Sequence, residues 1–193
     1  MTVKKMREEK YGTFFITITC VKWIPLIETT QLYDYIYQQF KILETEKHII
    51  HGFVIMNDHF HFLISFRENG KTINHRIGTM KRFLAYEIIK RLNNSKEKII
   101  LKLKDLVKPN EKNLGKIHEI FEPSFDIKLC WSFKIIQIKL NYMHLNPCKG
   151  NYKSVDNPWD FEHSSAKFYF DRGPGIYPVT HFLDLKEIDL SKH

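Results

Sequence analysis

The chain has 193 residues, 43 % of them hydrophobic, with a formal net charge of +8. It is long enough for one buried core, its composition is ordinary for a globular protein, and no apolar run approaches the length of a membrane span. Its three cysteines (Cys20, Cys130 and Cys148) form no C-x-x-C pair, which argues against a disulfide framework or a zinc ribbon and fits a reducing cytosol. The stretch Met1 to Lys10 is charged, and the apolar run from Phe14 to Val21 is short and rich in threonine. No leader peptide is therefore expected, and a cytoplasmic location is. The charge is uneven: Lys71 to Lys112 holds 12 Lys and Arg against 4 Asp and Glu, and the remainder balances to zero. A neutral body with one basic segment reads as a polyanion footprint, and nucleic acid is the commonest such partner.

In chain order, Thr13 to Val21 alternates β-branched and aromatic residues as a strand does, and Pro25 closes it. Thr30 is placed to cap a helix through about Glu46, with Leu32, Ile36, Phe40 and Leu43 at helical spacing. Ile49 to Met56 reads as a second strand, Asn57-Asp58 as a turn, and His59 to Phe66 as a third strand. Thr72 to about Leu92 is the next helix, carrying Ile73, Ile77, Met80, Leu84 and Ile88 on one side and Lys71, Arg76, Lys81, Arg82, Lys90 and Arg91 mostly elsewhere. The polar, lysine-rich residues 93–114 read as an insertion or mobile loop. A further strand falls between Lys116 and Cys130, interrupted by Pro123, and Ser132 is a candidate cap for a last helix that Pro147 stops. The proline- and aromatic-bearing tail from about 150 to 193 is expected to wrap a single 1–193 domain rather than form a second one. This order predicts an α+β fold: a ferredoxin-like antiparallel sheet with helices packed on one face.

The chemistry concentrates in two places. In His59-Phe60-His61 the histidines alternate along a strand, so both imidazoles share one face about 6.6 Å apart. In the third strand Phe60, Phe62, Ile64 and Phe66 form the opposite, apolar face. In Tyr142-Met143-His144-Leu145-Asn146-Pro147, Tyr142 and Asn146 stand one helical turn apart. Each feature alone is ordinary: exposed histidine pairs, amphipathic tyrosines and Asn-Pro helix ends are common. Together they describe a strand offering two imidazoles and a helix offering a phenol and an amide, a plausible metal-assisted nucleophilic site.

The segment Val54-Ile55-Met56-Asn57-Asp58-His59-Phe60-His61-Phe62-Leu63 resembles the H-U-H motif (U a bulky apolar residue) of single-tyrosine transposases. Asn141-Tyr142-Met143-His144-Leu145-Asn146-Pro147 resembles their Y-I-x-x-N-P signature, and the nearest branch is that of the REP-associated tyrosine transposases. Weaker echoes are Phe14-Phe15-Ile16-Thr17, Phe125-Asp126 and His163-Ser164-Ser165-Ala166. The resemblance implies an HUH-endonuclease-like fold, Tyr142 as nucleophile, and His59, His61 and Asn146 as ligands of Mg2+ or Mn2+. It implies nicking and rejoining of single-stranded DNA at hairpin-forming repeats, without ATP, through a 5′-phosphotyrosine. The basic residues Lys71, Arg76, Lys81, Arg82, Lys90 and Arg91 are the expected phosphate contacts.

Departures from the family pattern are Asn57-Asp58 before the first histidine, Phe121 in place of a usual tryptophan, and Pro123-Ser124 in place of a basic pair. Asp58 either makes the turn, the favoured reading, or orients a histidine. Two other functions compete: a domesticated DNA-hairpin binder that no longer cuts, and a small zinc hydrolase, which lacks a third strong ligand at zincin spacing. Monomer and homodimer stay equally open.

Overall fold

Alternating β-branched and aromatic residues build the sheet. Strands β1 (Gly12–Thr19), β2 (Ile49–Ile55), β3 (His59–Phe66) and β4 (Asp126–Leu129) lie in the order β2-β3-β1-β4, every neighbouring pair antiparallel. The computed structural model describes residues 10–95, 98–123, 125–150 and 153–191. With helix α2 (Tyr33–Thr45) joining β1 to β2 and helix α3 (Ile73–Ser95) on the path from β3 to β4, this is the expected ferredoxin-like α+β arrangement.

Strand parity divides the core in two. Phe14, Ile16 and Ile18 of β1 and Phe60, Phe62, Ile64 and Phe66 of β3 pack with Ile36 and Phe40 of α2 and Ile77, Met80 and Leu84 of α3. On the opposite face Phe15, Val54 and Leu63 pack with Ile136, Leu140 and Met143 of helix α6 (Phe133–His144) and with Phe182. Helices thus cover both faces, α2 and α3 on one and α6 on the other. The second face had to be covered, because Leu63 and Phe15 share it with the histidines and cannot be left in water.

Two local expectations are corrected. Thr30 caps nothing at its expected helix start: its Oγ1 donates to the Leu26 carbonyl 2.6 Å away, closing the short helix α1 (Leu26–Thr29), and α2 begins at Tyr33. Of the two readings of residues 93–114, insertion or mobile loop, the mobile loop gives way to helices. Helix α3 runs on to Ser95, and α4 (Ile99–Asp105) and α5 (Pro109–Lys112) follow, with residues 96–97 outside the described part. Leu103 and Val107 are buried and anchor the segment, and the Glu119 amide donates to the Leu103 carbonyl. The residue Ser124 of the Pro123-Ser124 departure also lies outside the described residues.

The tail runs back over the α6 side of the sheet. Val54 bridges to Ser164, Ser165 Oγ accepts from the Phe53 amide, and the Thr180 amide donates to the Ile50 carbonyl. Helix α7 (Ala166–Tyr169) presents Tyr169, whose hydroxyl donates to the His51 carbonyl. Among the described residues no helix is long and apolar enough to cross a membrane.

Gly52 lets α6 lie close on β2. A Cβ at this position would sit 2.6 Å from Met143 Cε, 2.7 Å from Leu140 Cδ2 and 3.1 Å from Ser165 Oγ. Gly52→Ala is expected to overpack this contact and cost about 1–3 kcal/mol, read as a lower urea midpoint. An unchanged midpoint would show that Met143 swings aside freely.

Candidate active site

Strand β3 begins at His59, so the two histidines leave the sheet on the α6 face as alternation requires. In the antiparallel register His61 stands opposite Thr17, and its Nδ1 lies 2.8 Å from Thr17 Oγ1. His59 Nδ1 donates to Asp58 Oδ1 at 2.6 Å. Both Nδ1 atoms are thereby engaged, and both Nε2 atoms turn toward Asn146, whose Nδ2 is 3.0 Å from His61 Nε2 and 3.4 Å from His59 Nε2. An amide nitrogen can only donate, so both Nε2 atoms offer lone pairs. Rotating the Asn146 amide by a half-turn exchanges that donor for Oδ1.

Burial pushes the pKa of His61 down to about 3, and the nearby His59 and Lys139 push in the same direction. The ring is neutral at ordinary pH, the state a metal ligand needs. Two unprotonated Nε2 atoms, each imidazole braced through Nδ1, with an amide oxygen available between them, fit a divalent ion. Among the described residues no three His, Cys, Asp or Glu side chains group in a metal-holding arrangement, and the polar side chain that reaches both imidazoles is that of Asn146.

Ser132 caps α6, its Oγ accepting from the Ile135 amide at 3.3 Å, and the helix carries Tyr142 to the same place. Asn146 opens the 3₁₀ turn Asn146–Cys148, one residue beyond the Leu145 cap, so Pro147 ends the α-helix without separating amide from phenol. The Tyr142 ring lies 5.4 Å from that of His61 and 6.0 Å edge-on from Phe15, which itself stacks on His61 at 5.2 Å. Tyr142 remains 53 % exposed, so its hydroxyl is open to a substrate. One turn earlier, Lys139 holds its Nζ 5.0 Å from the Phe15 ring centre and 5.7 Å from that of Tyr142.

No family model and no curated protein matches this chain. Among solved structures it is similar to one described as the REP-associated tyrosine transposase bound to a REP hairpin, with a TM-score of 0.57 and 18 % identity over 100 % of this chain and 98 % of that one. The likeness is one of fold. It extends end to end, and it is to the kind of protein that the two motifs resemble.

The six expected phosphate contacts do not gather around these residues. Helix α3 packs on the far face of the sheet, and much of its charge is spent internally. Arg76 is buried and ion-paired with Glu46, which also takes Lys71 at 2.7 Å. Arg91 grips both carboxylate oxygens of Asp34 at 2.9 Å and bonds Glu87. Lys90 reaches Glu87 at 3.3 Å. Lys81 donates to the Glu122 carbonyl and stands over Phe121 and Phe125, while Arg82 stands over the Phe83 ring. Arg76 and Arg91 are therefore structural, since a guanidinium already paired in a low-exposure site gains little from phosphate.

Four residues near the site carry more than the sequence reading gave them. Asp58 braces His59 besides making the turn, Thr17 braces His61, Lys139 brings a cation to the phenol, and Trp23 stands edge-on to His59 at 5.3 Å. Lys139 was legible as the residue three before Tyr142 on a helix. Thr17 required the β1–β3 register.

Proposed function

We propose that the protein is a metal-dependent single-stranded DNA endonuclease and strand transferase that works through a 5′-phosphotyrosine. The reading rests on the convergence of His59 Nε2, His61 Nε2 and the Asn146 amide beside an exposed Tyr142. The fold likeness to a transposase bound to a hairpin supports a DNA hairpin as partner.

Tyr142 Oη gives up its proton and attacks the scissile phosphorus, and the new P–O(Tyr) bond replaces the P–O3′ bond. The departing O3′ takes up a proton from solvent in its place, leaving a free 3′-hydroxyl with no net proton change. A second 3′-hydroxyl reverses the exchange on the phosphotyrosine, restoring the phenol and joining the strands. Bond number is conserved, so no ATP is needed. The phenol, with an ordinary pKa of about 10, is a weak nucleophile at neutral pH, and positioning must carry much of the rate. That positioning comes from α6, which holds nucleophile and amide ligand on one rigid element. Lys139, whose Nζ lies 5.7 Å from the Tyr142 ring centre, would offset charge developing on a phosphate attacked by the phenol. A Mg2+ or Mn2+ ion on His59, His61 and Asn146 would supply Lewis-acid polarisation of a phosphoryl oxygen.

The test is incubation of the protein and Mn2+ with single-stranded hairpins bearing randomised flanks, followed by denaturing electrophoresis. A covalent protein–DNA adduct is expected, and sequencing the trapped strands reads the target. Tight hairpin binding without adduct, unchanged by Tyr142→Phe, would favour a non-cleaving hairpin binder. Cleavage that survives Tyr142→Phe without adduct would favour a hydrolase.

Asp58 gives a further check. Asp58→Asn keeps the side-chain shape but removes the carboxylate that braces His59 Nδ1. It is expected to weaken Mn2+ binding by about 10- to 100-fold, measured by calorimetric titration of the protein without DNA. Unaltered affinity would confine Asp58 to the turn.

A further inference from the structure

Trp23 is held out of the core by a strained backbone at the lip of the candidate active site. Lys22 has φ 52° and Trp23 φ 55°, consecutive left-handed conformations at residues that carry a Cβ. Such conformations are costly outside glycine, and a large side chain in one is a genuine outlier. The turn is pinned on both sides: the Val21 amide donates to the Ile120 carbonyl, the Lys22 amide to Glu122 Oε1 at 2.9 Å, and the Trp23 amide to the Cys20 carbonyl. The effect of this arrangement is to leave the indole 60 % exposed, which burial energetics alone would not select. The ring meets His59 edge-on and walls a groove of ≈ 680 Å³ that is also lined by Met56, Asp58, Asn146 and Lys149.

We infer that Trp23 is a stacking platform for the nucleobase next to the scissile phosphate, seated in this groove. The inference rests on the strand-transfer reading and adds to it a base-binding position. A flat aromatic face, a groove large enough for a nucleotide, and Lys149 on its wall for a neighbouring phosphate together match single-stranded nucleic acid. The groove shares His59 and Asn146 with the candidate metal site, so a strand whose phosphate lies at the imidazoles must pass the indole. Stacking is sequence-tolerant, so Trp23 orders the strand while selectivity arises elsewhere.

The experiment uses the full chain carrying Tyr142→Phe, which permits binding without turnover. Fluorescence anisotropy measures its affinity for a short single-stranded oligothymidylate and for the same backbone without bases. Trp23→Ala is expected to weaken oligothymidylate binding about 5- to 150-fold, to leave binding of the abasic strand unchanged, and to be largely rescued by Trp23→Phe. Trp23→Gly should melt no lower than the parent, because glycine relieves the left-handed strain, yet bind as weakly as Trp23→Ala. Equal losses on both strands, or a Trp23→Gly protein that melts well below the parent, would make Trp23 a structural plug over His59. An oligothymidylate affinity indifferent to Trp23 would overturn the inference while leaving the strand-transfer reading intact. Absence of oligothymidylate binding by the parent would also overturn the inference, whereas the strand-transfer reading falls only if the hairpin assay yields no adduct.

Discussion

Tyr142→Phe is expected to abolish the covalent adduct and lower strand cleavage by about four orders of magnitude or more, the scale seen when a nucleophile acting within a catalytic unit is removed. The substitution deletes one oxygen and keeps the ring, so the edge contact with Phe15 and the approach to His61 survive. Tyr142 is 53 % exposed and no hydrogen bond of its hydroxyl holds the fold among the described residues, so stability should change by no more than about 0.5 kcal/mol. Hairpin affinity should be retained, because His59, His61, Asn146 and Lys139, which the proposed function sets around the phosphate, are untouched. The combination of intact folding, intact binding and absent adduct assigns the oxygen rather than the ring. Phenylalanine should also block rejoining, which runs through the same phosphotyrosine. Residual cleavage within about tenfold of the parent enzyme would rule out Tyr142 as nucleophile and send the chemistry to a water held in the same site.

What was legible in the chain follows how local each signal is. His59 and His61 share a face because a strand has period two, and Tyr142 meets Asn146 because a helix returns after four residues. Neither requires knowledge of the rest of the fold. That the two pairs meet depends on α6 lying across β2 and β3, which Gly52 permits and no local pattern announces. The basic residues misled for the same reason. Arg76 and Arg91 look free in sequence because Glu46 and Asp34, which neutralise them, are some thirty and sixty residues away. Residues 93–114 read as an insertion or mobile loop because the apolar stretch from Ile99 to Leu103 is too short to show a period, although Leu103 and Val107 suffice to anchor the segment. Trp23 had no signal at all, since a left-handed pair without glycine leaves no mark in composition.

The second large effect is a loss of stability in mild acid. His48, His51 and His144 are buried, and burial pushes each pKa down to about 4 from an ordinary 6.5. His51 bridges Ser65 Oγ at 2.8 Å and the Thr180 carbonyl at 2.9 Å, and His144 Nε2 meets Ser165 Oγ at 2.8 Å, so two of the three join the sheet side to the tail. Between the two pKa values the unfolded chain binds protons that the folded chain refuses, so stability rises with pH across that window. It should be level above about pH 7, fall from about pH 6.5, and complete its histidine-linked loss below about pH 4. A depression of this size is worth about 3 kcal/mol for a fully buried histidine, which is large against the stability of an ordinary domain. The carboxylates of Asp34 and Glu87, held low by Arg91, add a loss of the same sign at the acid end. Urea unfolding at a series of pH values should show the midpoint dropping steeply between pH 6.5 and 4, with a limiting slope of up to four protons, because buried His61, its pKa pushed down to about 3, adds to the other three. His144→Gln, which keeps a polar partner for Ser165 but does not titrate, should remove about one proton from that slope. A midpoint flat across this window would mean that the tail lifts from the sheet and hydrates these rings before the domain unfolds.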